Sequence, residues 1–411
     1  MSATVAVVAD DLTGAADAAA GFLRASLSVS LTWPDPSIDH WFIHDSDVIA
    51  IDTRTRVLDR ERASAATRDI VSTLFNTGLL AIFKKIDSTL RGHIGAEVRA
   101  TLDAWHPGTL AVVAPAFPAM GRTTIDGRQR LNGLVLDRPG IAAILEEGGL
   151  KSRTAGLEDV RGGALSELFT ACSRDQIRAI VCDAEVEGDL RAIAEAGADL
   201  APRLVWVGSA GLAHAVAARV GPRQARVPRI VVARGDSGGV LAVVGSRSAV
   251  SRKQAQYLTE TGVMTMEIPL PVLEKSEASL RRAYSDEIVA ALRRGDLLVR
   301  LPTDPDESED PTLARRLAEL LEPCGVVAKG LVITGGETAT HVLNAWGIQG
   351  LTLIDEVEAG VPLGITIGRC VMPIVTKAGA FGDAAALSRA VDRLRDVTLD
   401  VPNPGRPGDR T

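Results

Sequence analysis

The sequence predicts an α/β protein with two domains, each built on a mainly parallel sheet flanked by helices, and three observations carry this prediction. Short apolar runs rich in Val, Ile and Leu alternate with amphipathic stretches of helical period along the chain. The chain has 411 residues, whereas an ordinary domain has roughly 100–200. Only 3% of the residues are aromatic, so the core must consist of Ala, Val, Leu and Ile, as is common where helices pack on parallel sheets.

The apolar runs fall into two sets. The first set predicts strands at 5–8, 48–51, 80–83, 110–113, 179–181 and 204–207, and the second at 240–244, 297–301, 331–333 and 365–367. Helical periodicity lies between them, for example over 276–294 and 311–321. A segment rich in Pro, Arg and Gly, 221–239, separates the two sets. We therefore expect an N-terminal domain over residues 1–230 and a C-terminal domain over residues 231–411.

Charge and composition exclude several classes of protein. The formal net charge is -7, with 45 Lys and Arg residues against 52 Asp and Glu residues, which argues against nucleic-acid binding. The histidines and cysteines are scattered without C-x-x-C or H-x-x-x-H spacing, so no metal ligands are predicted. No apolar stretch reaches the ~20 residues of a membrane span. We expect a cytoplasmic protein with no nucleic-acid or membrane partner.

Two carboxylates, Asp10 and Asp11, follow the first predicted strand, and a helix is expected to begin near Thr13. Ligands of open α/β sheets bind at the carboxyl ends of the strands. A pair of carboxylates there could hold a substrate hydroxyl, accept its proton or approach Mg²⁺. Helix capping is the alternative, and it explains one Asp well but not two.

Charged residues also follow two other predicted strands. Lys84 and Lys85 extend an otherwise apolar strand, where they are costly to bury unless they are paired with anions. The turn after them and the end of another strand supply further candidates: Asp87, Ser88, Arg91 and Arg54. Arg and Lys at such an edge suit a carboxylate ligand, although internal salt bridges among these groups are the alternative. The nearby segment 114–126 is predicted to be a rigid loop, either a flap or a plain turn.

Three glycine-containing turns in the second half precede predicted helices, at 244–248, 333–339 and 377–383. Glycine lets the backbone approach a phosphate, and a helix N-terminus presents free N–H groups. Neither a Walker P-loop nor a Rossmann fingerprint matches these turns. Together they predict a nucleotide triphosphate site of another kind.

Other classes of function stay open on the residues alone. Ser209 has the G-x-S-x-G spacing of a hydrolase elbow, but no Asp and His follow it in suitable loops. An oxidoreductase lacks its nicotinamide fingerprint, and an aldolase would have only Lys85 for a Schiff base. A non-catalytic protein that binds a small acid would leave the three glycine turns without a role.

Five segments, taken in order along the chain, resemble the four-carbon acid sugar kinases. They read DDLTGA at 10–15, KKIDSTLRG at 84–92, PAFP with GRT at 115–123, GGET at 335–338 and KAGAFG at 377–382. The set reaches from the first strand to near the C-terminus, so the resemblance covers most of the chain. One departure is Ala380, where a further glycine is frequent in the family. The segment 356–364 also resembles a family element and is expected to line the nucleotide pocket.

The resemblance implies an active site in the cleft between a sugar-acid-binding N-terminal domain and an ATP-binding C-terminal domain. Members phosphorylate O4 of D-threonate, D-erythronate or 3-oxo-tetronate with ATP and Mg²⁺. We expect D-threonate or D-erythronate as the small-molecule partner, with 3-oxo-tetronate as the alternative, and we leave open whether the chain forms a homodimer.

By position, the resemblance assigns substrate contacts to Asp10, Asp11, Arg54, Lys85, Asp87, Ser88 and Arg91. It assigns ATP contacts to Ser246, Gly335, Gly336, Glu337, Thr338 and Gly379. No residue is assigned as a dedicated metal ligand. Asp11 is the first choice for the catalytic base and Asp383 is the rival, and the sequence does not separate them.

Overall fold

A computed structural model of the chain describes residues 5–34, 46–175, 177–200, 203–220, 238–245, 248–274, 278–302, 312–358, 360–379 and 381–397. The chain divides into two compact units, Met1–Arg226 and Val227–Thr411. The expected domain boundary at residue 230 falls outside the described residues and stays a prediction.

The N-terminal unit contains eleven strands and eight helices among its described residues. The strands are β1 (Val5–Ala9), β2 (Val29–Thr32), β3 (Val48–Asp52), β4 (Ala81–Lys85), β5 (Leu110–Ala114), β6 (Arg122–Ile125), β7 (Arg128–Leu131), β8 (Leu134–Val135), β9 (Ser152–Ala155), β10 (Ala179–Cys182) and β11 (Leu204–Gly208). The helices are α1 (Leu12–Arg24), α2 (Arg60–Phe75), α3 (Ile94–Ala104), α4 (Ile141–Glu147), α5 (Leu157–Arg161), α6 (Leu165–Arg174), α7 (Glu187–Gly197) and α8 (Ala210–Val220).

The main sheet of this unit is entirely parallel, in the order β2-β3-β1-β4-β11-β5-β10-β9. Its central strands are buried along their whole length, because helices cover both faces of such a sheet. A core of Val, Ile and Leu side chains forms between strands and helices, and each fully buried one contributes about 1.5–3 kcal/mol. The predicted parallel sheet is therefore confirmed for this unit.

A separate antiparallel sheet, β6-β7-β8, follows the fifth strand. The segment 114–126 was expected to be a rigid loop, but its second part is strand β6, which pairs with β7 from Thr123 opposite Arg130 to Ile125 opposite Arg128. The hairpin turn between these strands contains Asp126 and Gly127, both with positive φ. An Asp-Gly pair is a strong hairpin signal, and it marks the strand pair in the sequence.

The C-terminal unit contains seven strands and six helices among its described residues. The strands are β12 (Val240–Val244), β13 (Met264–Glu267), β14 (Leu297–Arg300), β15 (Gly330–Thr334), β16 (Ile348–Glu358), β17 (Val361–Gly368) and β18 (Pro373–Lys377). The helices are α9 (Ala249–Glu260), α10 (Leu270–Glu274), α11 (Ala278–Arg294), α12 (Leu313–Leu321), α13 (Gly336–Ala345) and α14 (Ala386–Asp396).

Strands β13-β14-β12-β15-β18 of this unit are parallel neighbours, and β17 and β16 continue the sheet in antiparallel pairing. The sheet is thus mainly parallel, as predicted. Helices α9 and α14 pack on it over a second apolar core. Within the described residues, no helix is both long and apolar enough to cross a bilayer.

Candidate functional site

Three neighbouring strands end together at one edge of the N-terminal sheet. Strand β1 lies between β3 and β4, and Ala9 at its end is paired with Asp52 on one side and Lys85 on the other. The chain passes from β3 to β4 across β1, which makes this edge a topological switch point where ligands of such folds bind. The residues that follow these three strands therefore lie at one edge of the sheet.

Asp11 caps helix α1 while remaining near other polar groups. Its Oδ1 accepts a hydrogen bond from the backbone N–H of Gly14 at 3.0 Å, and its Oδ2 accepts one from the Thr13 hydroxyl at 2.7 Å. A Cβ atom added to Gly14 would lie 2.5 Å from Asp11 Oδ1 and 3.1 Å from Lys85 Nζ. The carboxylate and the ammonium therefore border the same small space at the start of the helix.

Arg56 joins the two aspartates, and the sequence analysis did not select it. Its Nε and Nη2 donate to both oxygens of Asp10 at 2.8 and 2.7 Å, and its Nη1 lies 2.7 Å from Asp11 Oδ2. Burial opposes its charge, but Asp11 and Asp10 raise the pKa of Arg56 above its usual range. A second arginine two residues after Arg54 was the available signal, and only the fold shows that it turns toward the carboxylates.

The two lysines of β4 lie on opposite faces of the sheet, since successive side chains of a strand alternate. Lys84 is fully buried and forms an ion pair of 2.5 Å with Glu97 of α3. Lys85 is 4% exposed, and among the described residues its ammonium has neither a hydrogen-bond acceptor nor a carboxylate partner. The internal salt bridge thus accounts for Lys84 and leaves Lys85 as an uncompensated cation at the strand edge.

Asp87 organises the turn after β4. Its carboxylate accepts hydrogen bonds from the Thr89 hydroxyl at 2.5 Å and from Arg91 at 3.0 and 2.8 Å. Burial opposes the charged form, but Arg91, Arg56 and Thr89 together hold the pKa of Asp87 well below its usual range. Asp87 and Arg91 therefore form an ion pair within this turn.

The end of β3 carries a buried carboxyl group and an arginine. Asp52 is 1% exposed and accepts a hydrogen bond from the Arg54 N–H at 2.8 Å. Burial raises the pKa of Asp52 to about 7, and the nearby Asp11 and Asp10 add to the shift. The Arg54 guanidinium lies 5.6 Å from the centre of the Trp33 ring, a cation–π distance.

The small antiparallel sheet is fastened to the same edge by buried polar groups. Gln129 of β7 donates to the carbonyl oxygen of Ser88 at 2.8 Å, and its Oε1 accepts a hydrogen bond from Thr124. Asp183, after β10, accepts from the N–H groups of Asp126 and Gly127 at 2.7 and 2.9 Å. The bond from Gln129 fixes the backbone at Ser88, and the bonds to Asp183 hold the hairpin turn between β6 and β7.

The three predicted glycine turns of the C-terminal unit follow the neighbouring parallel strands β12, β15 and β18. Gly335 has φ +93 and leads directly into α13, so the turn needs a residue that tolerates the left-handed region. A Cβ atom on Gly245 would lie 2.0 Å from the Thr338 hydroxyl, which brings the first two turns into direct contact. Thr338 is buried and Glu337 is exposed, and Ser246 lies outside the described residues.

The third turn contains Gly379 and leads to Asp383, the rival candidate for the base. Asp383 is exposed and pairs with Arg389, whose Nη2 is 2.8 Å from its Oδ1. Hydrogen bonds from Arg389 and from the N–H of Ala385 lower the pKa of Asp383. Asp383 and Asp11 are therefore each paired with an arginine, and the side chain of Asp383 is 68% exposed whereas that of Asp11 is 17% exposed.

The hydrolase alternative finds no support at Ser209. Its hydroxyl is buried and donates to the carbonyl oxygen of Ala116 at 2.9 Å. A nucleophile needs a base within hydrogen-bond reach and an open approach. Ser209 has a structural role between β11 and α8.

Two family matches cover most of the chain. Residues 5–216 match the family described as the sugar-binding N-terminal domain. Residues 241–387 match the family described as the nucleotide-binding C-terminal domain.

Full-length relatives carry kinase names. A D-threonate kinase from Cupriavidus necator is 38% identical over 93% of this chain and 96% of its own length. A D-threonate kinase from Bordetella bronchiseptica is 32% identical over 95% of this chain and 98% of its own length. More distant relatives, 29% and 27% identical, are named 3-oxo-tetronate kinase and D-erythronate kinase.

Solved structures share the fold. A crystal structure of a protein from Salmonella typhimurium LT2 superposes with a TM-score of 0.77 at 20% identity, covering 94% of this chain and 98% of the other. This likeness supports the two-unit α/β architecture.

Proposed function

Because the chain belongs to the four-carbon acid sugar kinase family, we propose that it transfers the γ-phosphoryl group of ATP to O4 of D-threonate. It is an ATP-dependent sugar-acid kinase. D-Threonate is favoured over D-erythronate because the relatives with the highest identities quoted above are D-threonate kinases. The observation that carries the acceptor assignment is the uncompensated Lys85 ammonium beside Asp11 at the switch point of the N-terminal sheet.

The carboxylate of the sugar acid binds Lys85 in this proposal. A charge on a nearly buried side chain is costly unless it is paired, and the carboxylate of the acid supplies that partner. Arg54, Ser88 and Arg91 lie at the same edge and are assigned to the remaining oxygens of the acid. Two of the predicted contacts, Asp10 and Asp87, are engaged by arginines, and we assign them to holding those arginines in place.

Asp11 accepts the proton of the attacking hydroxyl. As the bond from O4 to the γ-phosphorus forms, the bond from that phosphorus to the β-γ bridging oxygen breaks and ADP leaves. The O4 proton passes to Asp11, whose Oδ1 faces the space shared with Lys85. Arg56 Nη1 lies 2.7 Å from Asp11 Oδ2, and Lys85 borders the same space.

The glycine turns at Gly335 and Gly379 receive the phosphates of ATP in this proposal. The Gly335 N–H donates to the carbonyl oxygen of Lys377 at 3.2 Å, so the groups that suit an anion are the N-terminus of α13 and the N–H of Gly379. Mg²⁺ binds triphosphate oxygens and usually needs only one or two protein carboxylates. The described residues hold no cluster of three metal-ligating side chains, but Glu358 Oε1, buried and without a hydrogen bond, lies beside Gly382 in this turn. Glu358 would hold the ion, which would neutralise phosphate charge.

The reaction is tested by ADP release with Mg·ATP across D-threonate, D-erythronate, their L-forms and 3-oxo-tetronates, followed by phosphorus NMR of the product. We expect release with D-threonate and a phosphate on O4. Release with a 3-oxo-tetronate instead would favour that alternative, which distant relatives motivate. No release with any of these acids, from folded protein that binds ADP, would contradict the proposed acceptor class. Membership of the kinase family argues against the non-catalytic alternative. A cytoplasmic location and a homodimer stay predictions.

A further inference from the structure

Lys377 is a buried lysine at the end of β18, and neither the sequence analysis nor the family match assigns it a role. It is 1% exposed. Its ammonium donates to the carbonyl oxygens of Ala378 at 2.8 Å and Phe381 at 2.9 Å. Both acceptors belong to the third glycine turn, so the lysine holds that turn from within.

Three side chains of α9 and its cap hold the same turn. Ser248 and Ser251 both donate to the carbonyl oxygen of Gly379, at 2.5 and 2.9 Å. Gln254 donates to the carbonyl oxygens of Phe381 and Asp383 at 2.9 and 2.8 Å. We call Lys377, Ser248, Ser251 and Gln254 the carbonyl clamp.

The clamp determines where the N–H groups of the turn point. In a trans peptide unit the C=O and the following N–H point in opposite directions. With the carbonyls of Ala378 and Phe381 held inward, the N–H groups of Gly379 and Gly382 point away from the clamp. In the described part of the chain, neither of these two N–H groups has an acceptor.

We propose that Lys377 is a positioning residue for nucleotide phosphate, acting through the peptide units of Gly379 and Gly382 and not by touching the phosphate. Outward N–H groups grouped in one turn form an anion site. A lysine aimed at the phosphate would instead leave its ammonium free for the ligand, whereas here two carbonyls occupy it. The inference rests on the proposed nucleotide site and adds the hydrogen bonds that orient the backbone of its third turn.

The test compares Lys377→Met with the wild type on the full chain. Methionine keeps a flexible side chain but lacks the ammonium that makes both hydrogen bonds. We expect the Kd for ADP, measured by calorimetry without sugar acid, and the KM for ATP each to rise tenfold or more. The KM for the sugar acid should stay within twofold, a split that general loss of folding would not produce.

Lys329→Met is the matched control. Its ammonium also donates to a backbone carbonyl, that of Arg395 at 2.8 Å, but it precedes β15 and so lies at the other end of that strand. We expect its Kd for ADP to be unchanged.

Ser251→Ala tests the same device without altering charge, and Ser248 still contacts the Gly379 carbonyl in this variant. We expect a threefold rise in the Kd for ADP. In the variant that combines Lys377→Met with Ser251→Ala, the fold-change in Kd should differ from the product of the two single fold-changes, because both side chains hold one turn.

A folded Lys377→Met protein with unchanged Kd for ADP would overturn the inference while leaving the kinase intact. If that variant does not fold, an unchanged Kd in Ser251→Ala overturns it. A wild type that binds no ADP would contradict the nucleotide site itself.

Discussion

The two units share a strand order, but they place different kinds of residue at the switch point of the sheet. The first strand of each unit is flanked by the third and fourth, as β1 is by β3 and β4, and β12 is by β14 and β15. At this edge the N-terminal unit places charged side chains, several of which neutralise one another. The C-terminal unit places glycine turns. The common topology supplies the location, and the residue types decide whether a small acid or a phosphate chain fits there.

The largest expected effect is a loss of kcat when Asp11, at the first edge, is replaced. Asp11→Asn should lower kcat at least ~100-fold, the lower range for loss of a general base, with the Kd for ADP within twofold. Asn still caps a helix well, so α1 should persist. Asp59→Asn is the matched control because Asp59 also caps a helix, accepting from the Arg62 N–H at 2.9 Å. Turnover that survives in Asp11→Asn would remove Asp11 as the base.

Arg56→Met should have the next largest effect, since it leaves Asp10 and Asp11 without their shared cation. Losing one partner of a largely buried charged pair costs about 2 kcal/mol or more, or roughly 30-fold in kcat/KM. Arg60→Met is the control, because Arg60 pairs with Glu147 at the exposed surface and such pairs contribute little. A greater loss in Arg54→Met than in Arg56→Met would contradict the central place given to Arg56.

Gly335→Ala probes the backbone recognition of the second edge. Its φ of +93 is strained for any side chain, at a cost of about 1–3 kcal/mol, and the turn must shift. We expect the Kd for ADP to rise about tenfold, within that range of energies, and the KM for the acid to stay constant. Gly262→Ala carries a similar strain, with φ +91 and no atom within 4 Å of the added Cβ. Equal ADP affinity in the two variants would remove the Gly335 turn from the site.

The last expected effect concerns stability at the first edge and not turnover or binding. The pKa of Asp52 rises from 3.8 to about 7 on folding, so the folded state binds more protons between these values and stability falls as pH rises through this window. Asp52→Asn should therefore raise the Tm at pH 8. The gain in the free energy of unfolding is at most about 4 kcal/mol, and it should vanish near pH 4. A gain independent of pH would show that the pKa of Asp52 does not differ between the folded and the unfolded protein.

The sequence predicted the parallel sheets and the switch-point residues because apolar runs and the polar turns after them are local signals. Arg56 was missed because its role depends on a turn that reverses after Arg54, and spacing alone does not show that direction. The sequence did not distinguish Lys84 from Lys85. In the structure their side chains lie on opposite faces of the strand, and Lys84 pairs with Glu97. The antiparallel pair β16 and β17 was foreseen only as a short run at 365–367, since its partner strand is partly exposed and lacks a continuous apolar pattern.

The central claim is that the acid binds to the side chains of the N-terminal unit and the nucleotide to the backbone turns of the C-terminal unit. A crossed measurement tests it most directly, with the KM for D-threonate and the Kd for ADP determined for Lys85→Met and Gly335→Ala. The account predicts that Lys85→Met raises only the KM for D-threonate and that Gly335→Ala raises only the Kd for ADP. A Lys85→Met protein with weakened ADP binding and an unchanged KM for D-threonate would contradict it.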